Sequence, residues 1–175
     1  CHEGEFQPLL GELALHKLDA VLADRPAPPN PALKTTSQLL GTSAIAWYAP
    51  ARWAQAARAN FPHSLAQVPL LLPTEHAAVR ARINHWLERE HIRPHIAGEF
   101  EDSALLSTFA ASGMGVMPAP ASLGAHLAQT CALEWVGTTP DVHEQFHLIY
   151  SARKVMHPLL TRLLAAAADE MLLNE

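Results

Sequence analysis

The chain has 175 residues, 49% of them hydrophobic, which is typical of a soluble globular protein with one domain or two small lobes. Its net charge of -5 and the absence of a long basic run predict that this chain alone binds DNA poorly. No apolar run approaches the roughly 20 residues of a membrane span, and two cysteines are too few for a disulfide scaffold, so the composition favours a reducing cytoplasm.

The first third of the chain predicts two helices and two strands around a proline-rich crossing. Leucines recur at helical spacing over 6–17 and predict a helix, and the apolar run 18–24 predicts a buried strand. Prolines throughout 25–31 remove amide donors and predict a surface crossing. The run 42–50 predicts a strand, and the apolar spacing over 51–61 predicts a helix.

The middle of the chain is the most regular part of the pattern. The apolar run 68–73 predicts a strand, and an amphipathic helix follows it. A second strand is predicted over 93–100, after which Asp102 can cap a helix that ends at Gly113. The segment 114–118 returns as a short strand. The apolar face of the helix after 68–73, called its stripe below, consists of Val79, Ile83, Trp86 and Leu87.

The last third predicts a helix, a turn, a strand and a final helix. A short helix is predicted over 120–129, a turn over 137–142 and a strand over 143–152. Pro158 is a favourable first residue for the closing helix. The stripe of that helix is Leu160, Leu163, Leu164, Ala167 and Met171. Strands that alternate with helices predict parallel sheets packed between helices, and therefore the α/β class.

Three blocks of the sequence resemble the effector domain of bacterial LysR-type transcriptional regulators. They are LLGELALHKLDAVLADRP near the start, the segment 76–120 and ARKVMHPLLTRLL near the end. In the middle block, Ala-Ala-Ser-Gly-Met-Gly leads into a strand. Gly113 can take the left-handed conformation that ends a helix, and Gly115 permits close packing. Within the family, CHEGE, HKLDAVLADRP and GEFEDSALLSTF are similar to activators of sodium/proton antiporter genes.

The resemblance implies two Rossmann-like α/β lobes of the type 2 periplasmic-binding-protein kind. The first lobe is expected in 1–67 and 138–175, and the second lobe in 68–137. The family's winged helix-turn-helix, and the first strand and helix of the first lobe, are not found in this sequence. Because the sequence starts at Cys1 and not at Met, we expect a processed or excised piece.

Candidate effector-binding residues follow from the strand ends. Open α/β sheets bind ligands beyond the carboxyl ends of their strands, where helix N-termini present free amides. The resemblance implies a small-molecule or ion effector in the cleft between the lobes. The residues at these ends, besides the segment 117–119, are Asp24, Arg25, Thr74, Glu75, His76, Glu101 and Asp102.

Each candidate also has a structural interpretation. Thr74 and Asp102 have the side chains of helix N-caps, whereas the charges of Glu75 and Glu101 favour a helix N-terminus. An ordinary surface pair would equally explain Asp24 beside Arg25. The four carboxylates would offer oxygen ligands to a hard cation such as sodium.

No catalytic constellation or metal-ligand spacing is present in the sequence. The eleven histidines include His85, His91 and His95, which we expect to be surface residues without metal-site spacing. We therefore predict no enzymatic activity, no cofactor and no bound metal.

Two functions remain in competition. The first is the effector-sensing domain of a LysR-family regulator, a cytoplasmic homodimer or homotetramer that contacts promoter DNA only through the N-terminal domain. The helix of Trp53 and the helix 160–171 are candidate contact surfaces. The alternative is a periplasmic solute-binding protein, or lipoprotein, of a transport system, which would carry a signal sequence before Cys1 instead of a DNA-binding domain.

Overall fold

Most helices and strands follow the predicted pattern. A computed structural model describes residues 1–30, 34–151 and 158–172, with side chains up to residue 167. The helices are α1 (Phe6–Ala14), α2 (Ala51–Arg58), α3 (Ala78–Arg89), α4 (Ser103–Ala111), α5 (Gly124–Cys131) and α6 (Pro158–Leu172), with short 3-10 helices at His63–Gln67 and Ala121–Leu123. The strands are β1 (Ala20–Ala23), β2 (Thr35–Ala49), β3 (Pro69–Pro73), β4 (His95–Phe100), β5 (Met117–Pro120) and β6 (Glu134–Ser151).

The chain forms two compact units. One comprises Cys1–Thr42 with Gln145–Glu175, and the other comprises Ser43–Glu144. This division differs from the predicted lobe boundaries at 67/68 and 137/138, because α2 contributes buried alanines to the same core as β3. Both β2 and β6 contain a boundary and continue from one unit into the other.

Apolar residues of β2, β3 and α3 form the main core of the 43–144 unit. Leu70 and Leu72 of β3 are fully buried and pack in the same cluster as the stripe of α3. The rings of Trp47 and Trp86 lie 6.0 Å apart, and the Trp47 indole donates a hydrogen bond of 2.9 Å to the buried Thr139 hydroxyl. Because its polar atom is satisfied, Trp47 can be buried completely.

A smaller core belongs to the unit formed by Cys1–Thr42 and Gln145–Glu175. Leu10 and Leu13 of α1 pack against Val21 of β1 and Ile149 of β6. The prediction of an amphipathic first helix is therefore confirmed. In α6, the predicted stripe is partly exposed, with Leu163 more exposed than Leu160, and the side chain of Met171 lies outside the described residues.

The prediction of parallel sheets is only partly correct. β3 pairs parallel with β4, and Leu70 forms a parallel bridge with Val116 just before β5. By contrast, β1 and β5 pair antiparallel with β6 and β2 in a sheet of order β1-β6-β2-β5. The difference arises because β2 and β6 extend from one unit into the other instead of returning through a helical crossover.

The two long strands also differ from their predicted lengths. β2 begins at Thr35, seven residues before the predicted start at 42. The predicted turn at 137–142 is wrong, because these residues continue β6 without a break. This stretch contains two threonines and Val142, which favour extended backbone, and the buried Thr139 accepts the Trp47 hydrogen bond.

The two glycines of the middle block act as predicted. Gly113 has a φ of +97° directly after the end of α4, a conformation that favours glycine. A Cβ at Gly115 would lie 2.5 Å from the Pro69 carbonyl oxygen, so only a residue without a side chain fits there. None of the helices in the described part of the chain has the length and apolar composition that a membrane crossing requires.

Candidate functional site

The carboxyl ends of β3 and β4 bring three predicted site residues together. Thr74 follows β3 directly, and its amide donates a hydrogen bond of 3.0 Å to the Phe100 carbonyl at the end of β4. The Thr74 hydroxyl donates to a carboxylate oxygen of Glu101 at 3.1 Å. Asp102 is the next residue. Because β3 and β4 are parallel and adjacent, their ends form one polar edge.

Asp102 is the N-cap of α4, as the sequence predicts. One of its carboxylate oxygens accepts hydrogen bonds from the amides of Ala104 at 2.7 Å and Leu105 at 2.8 Å. These contacts satisfy two of the free amides at the start of the helix. Much of the hydrogen-bonding capacity of this carboxylate is therefore used within the protein.

The interpretation of Thr74 as a helix N-cap is wrong. α3 begins four residues later, and its N-cap is Ala77, which has no side-chain acceptor. A turn separates Thr74 from the helix, closed by a hydrogen bond of 3.2 Å from the Ala77 amide to the Thr74 carbonyl. The Thr74 side chain is thus directed to Glu101 and not to the helix. Glu75 and His76 are exposed residues of the same turn.

Arg80, which the sequence analysis did not select, holds the two strand ends in place. Its guanidinium donates to the Pro73 carbonyl, to the Glu99 carboxylate and to the Asn84 side chain. Arg80 follows Val79 of the apolar stripe of α3 and is itself buried. Because its three acceptors lie at the end of β3, near the end of β4 and on α3, this one side chain joins all three elements behind the polar edge.

Asp24 and Arg25, which belong to the other unit, form a local ion pair. The Arg25 guanidinium donates to both carboxylate oxygens of Asp24, at 2.7 and 3.1 Å. This hydrogen bonding to Asp24 raises the pKa of Arg25, and partial burial opposes the rise. The guanidinium also lies 5.3 Å from the ring centre of Phe6 on α1. The pair is therefore ordered by packing as well as by charge.

A second polar residue that the sequence analysis did not select lies near this pair. His147 of β6 is opposite Ala23 of β1, immediately before Asp24. The imidazole is buried, and its Nδ1 has no hydrogen-bond partner among the described residues. Neither the periodicity nor the spacing of the histidines distinguishes it. The signal available in the sequence is its place in an alternating apolar strand, where a buried polar side chain is unusual.

The remaining histidines selected in the sequence analysis are exposed, as predicted: His85, His91 and His95. Among the residues with described side chains, no group of three or more His, Cys, Asp and Glu is placed to hold a metal ion. The polar edge presents one hydroxyl and two neighbouring carboxylates, those of Thr74, Glu101 and Asp102. Such a set can recognise hydroxyl, amide or ammonium groups through directed hydrogen bonds.

Comparisons with known proteins show the family and the fold. The family model described as the LysR substrate binding domain matches residues 1–172. The transcriptional activator protein NhaR of Escherichia coli is 24% identical over 163 residues, which are 93% of this chain and 53% of NhaR. The chain therefore spans about half the length of this curated relative.

Two solved structures show the same fold at low sequence identity. The cofactor-binding domain of the Cbl transcriptional regulator has a TM-score of 0.72 and 17% identity, covering 93% of this chain and 71% of that one. The effector binding domain of QuiR in complex with shikimate has a TM-score of 0.65 and 13% identity, covering 94% of this chain and 77% of that one. The predicted α/β fold of the type 2 periplasmic-binding-protein kind is thereby confirmed.

The family match covers almost the whole chain, from residue 1 to residue 172. The chain therefore belongs to the family of LysR substrate binding domains, the effector-binding domains of LysR-family transcriptional regulators.

Proposed function

We propose that this domain recognises a small-molecule or ion effector through the polar edge formed by Thr74, Glu101 and Asp102, and that the recognition controls transcription. The observation that carries the proposal is the contact between the Thr74 hydroxyl and the Glu101 carboxylate at the ends of two parallel strands. Glu75 and His76 extend the same edge. Both solved and curated relatives named above are regulators, and one of them holds shikimate.

The polar edge is suited to a switch because it is already ordered. Arg80 fixes the strand ends, and Asp102 fixes the start of α4, so little conformational entropy is lost when a ligand binds. For a regulator, the effector must bind one conformation of the protein more tightly than another. The proposal therefore requires that the affinity for the effector differs between the DNA-bound states of the intact protein.

Asp24 and Arg25 form a second group of proposed contact residues, located in the other unit. Their bidentate pair offers both a carboxylate and a guanidinium. The unpartnered Nδ1 of His147, one strand away, can accept or donate a further hydrogen bond. A ligand bound there would satisfy a buried polar atom that otherwise costs folding free energy.

The resemblance to NhaR supports a narrower proposal, the activation of sodium/proton antiporter genes in response to sodium. The oxygen-rich polar edge agrees with a hard cation, but Glu101 and Asp102 are two carboxylates and not a closed cage. We therefore keep sodium and small polar organic molecules as the two effector classes to compare. The protein is proposed to act in the cytoplasm and to contact promoter DNA through a separate N-terminal domain.

The proposed oligomer is a homodimer that uses the exposed apolar face of α4. Leu105 and Phe109 are four residues apart on this helix, and both are exposed, as is Met114 just beyond it. An apolar surface of this kind on an otherwise charged domain is typical of a protein contact. Ile96 on the neighbouring β4 is also exposed and extends the surface. This assignment replaces the helices of Trp53 and Leu160 as the favoured contact.

The test uses the intact regulator and its own promoter. Footprinting and reporter transcription are measured with sodium chloride, with potassium chloride at equal ionic strength and with shikimate. We expect one effector to change the footprint, and Thr74→Val or Glu101→Gln to weaken the response about five- to tenfold, since one hydrogen bond contributes about 1 kcal/mol. Glu88→Gln, an exposed change on α3, is the matched control.

Different results contradict different parts of the proposal. An unchanged footprint and unchanged transcription under every effector would overturn the role in sensing for the tested classes. A normal response in both the Thr74 and the Glu101 variant would overturn the assignment of the polar edge. A response lost only in Asp24→Asn or Arg25→Gln would move the site to the other unit.

A further inference from the structure

The 43–144 unit contains a pocket of about 530 Å³ that shares no lining residue with the polar edge. It lies against α5 and the first residues of β6. Its volume falls within the range of sites for small organic ligands, which is about 300–1,000 Å³. Most of its lining consists of alanine, glycine, leucine and aromatic side chains. The site is therefore independent of the effector site proposed above.

One wall of the pocket is made of small residues on α5. Gly124 and Ala128 are four residues apart and line the pocket together. Glycine is required at the first of these positions, because a Cβ there would lie 2.9 Å from the Tyr48 hydroxyl. The absence of a side chain at Gly124 lets the Tyr48 hydroxyl lie close to α5, and Tyr48 also lines the pocket. Ala132, just beyond the helix, continues the small-residue wall.

Trp135 provides a flat apolar surface in the lining. Its residue is 55% exposed, although tryptophan is a large and mostly apolar side chain. The indole Nε1 donates a hydrogen bond of 3.2 Å to the Thr138 hydroxyl, which favours this orientation of the ring. A ring held in this way loses little entropy when another ring stacks on it.

Tyr48 provides a polar group in the lining and, unlike Trp135, is almost fully buried. The residue is only 2% exposed, and its hydroxyl lies 3.5 Å from the Ala121 carbonyl, at the long limit of a hydrogen bond. A tyrosine phenol is protonated at neutral pH, and burial raises the pKa of Tyr48 further, so the hydroxyl remains a donor. A ligand acceptor at normal hydrogen-bond distance would be a better partner than this carbonyl.

The charge at the pocket is balanced. Glu134 is the charged residue of the lining, and its carboxylate accepts a hydrogen bond of 2.8 Å from Arg58. The Arg58 side chain also donates to the Trp135 carbonyl at 2.7 Å. Since this carboxylate already has a cationic partner, the pocket gives no strong preference for a charged ligand.

We propose that this pocket is a second small-molecule site, which binds a neutral planar aromatic compound carrying one hydrogen-bond acceptor. The ring lies between the indole of Trp135 and the small-residue wall of α5, and the acceptor receives the Tyr48 hydroxyl proton. A flat ring fits because the wall formed by Gly124 and Ala128 has no side chains beyond a methyl group.

The test measures binding of 4-fluorobenzamide to the intact protein by fluorine NMR. We expect a dissociation constant below roughly 1 mM, which is the range of a fragment-sized ligand. Ala128→Phe fills the pocket and should abolish the shift of the fluorine signal. Ala125→Phe, at an exposed position of the same helix outside the lining, is the matched control and should bind as the unchanged protein does.

Tyr48→Phe tests the polar contact separately and should weaken binding about fivefold, because it removes one hydrogen bond. The proposal is overturned by any of three results: no binding to the unchanged protein at millimolar ligand, unchanged binding in the Ala128 variant, or equal loss in the Ala125 variant. Binding that survives in Tyr48→Phe at full strength overturns the role assigned to the hydroxyl. The readout does not involve transcription, so it is independent of the proposed regulatory function.

Discussion

The guanidinium of Arg80 donates a hydrogen bond to the carboxylate of Glu99, although the side chain of Arg80 is 4% exposed and that of Glu99 is 46% exposed. The two partners therefore differ in what each loses when the contact is broken. Water can replace Arg80 around the exposed Glu99 carboxylate, whereas loss of Arg80 removes the donor of the Pro73 carbonyl and of the Asn84 side chain as well.

This asymmetry predicts unequal effects of the two substitutions on stability. Arg80→Met should lower the free energy of unfolding by about 2 kcal/mol, because several acceptors lose their donor. Glu99→Gln should cost about 1 kcal/mol or less, because a half-exposed pair contributes little and the amide oxygen still accepts. Urea unfolding measures both, with Arg93→Met at an exposed position as control. Equal losses for the two variants would contradict the asymmetry.

The N-cap of α4 predicts a difference between two changes at one position. Asp102→Ala removes the acceptor of two helix amides and should cost about 1 kcal/mol. Asp102→Asn keeps an acceptor oxygen and should retain most of the stability. Thermal unfolding of both variants checks this expectation. It would be wrong if the asparagine variant were as unstable as the alanine variant.

Tyr48 predicts a loss of stability at alkaline pH. Burial raises its pKa above the ordinary value of 10.0, so between the unfolded and the folded pKa the native state binds more protons than the unfolded state. The free energy of unfolding should therefore fall as the pH rises above about 10. Tyr48→Phe should remove this part of the decline, and Tyr150→Phe serves as control. Identical slopes in urea titrations from pH 8 to 11 would contradict the assignment.

The exposed face of α4 predicts the oligomeric state. Phe109→Glu places a charge in the proposed dimer contact and should shift the protein to monomer in sedimentation velocity, at concentrations where the unchanged protein is dimeric. Ala111→Glu adds the same charge at an exposed position on another side of α4 and should leave the dimer intact. If both variants remain dimeric, another surface makes the contact.

The sequence predicted those parts of the fold that depend on interactions between residues close together in the chain. The apolar spacing in α3 and the cap at Asp102 are signals within a few residues, and both agree with the structure. For β6, the sequence predicted only a strand over 143–152, because Gly137 and Pro140 before it resemble a turn. The continuity of that strand depends on pairing with residues that are distant in sequence. Such pairing does not change the spacing of apolar residues along the strand.

Prediction of the candidate site had the same limit, because contacts between residues distant in sequence were missed. Thr74, Glu101 and Asp102 were predicted because parallel strand ends meet at one edge, which is a rule of topology. Arg80 was missed for two reasons. Its partner Glu99 is 19 residues away, and a charged residue on an amphipathic helix is ordinarily exposed to solvent. His147 was missed for a related reason: burial of a histidine in β6 depends on which strand lies opposite.

Gly115 lies where β3 approaches the start of β5, and a Cβ there would meet the Pro69 backbone at 2.5 Å. On either side of this contact, the Leu71 amide donates to the Val116 carbonyl, and the Val116 amide donates to the Pro69 carbonyl, both at 2.9 Å. A backbone oxygen cannot rotate away as a side chain can. Replacement by alanine would therefore strain the backbone contact that links β3 to the start of β5, and one added methyl group would disturb the strand that leads to Thr74.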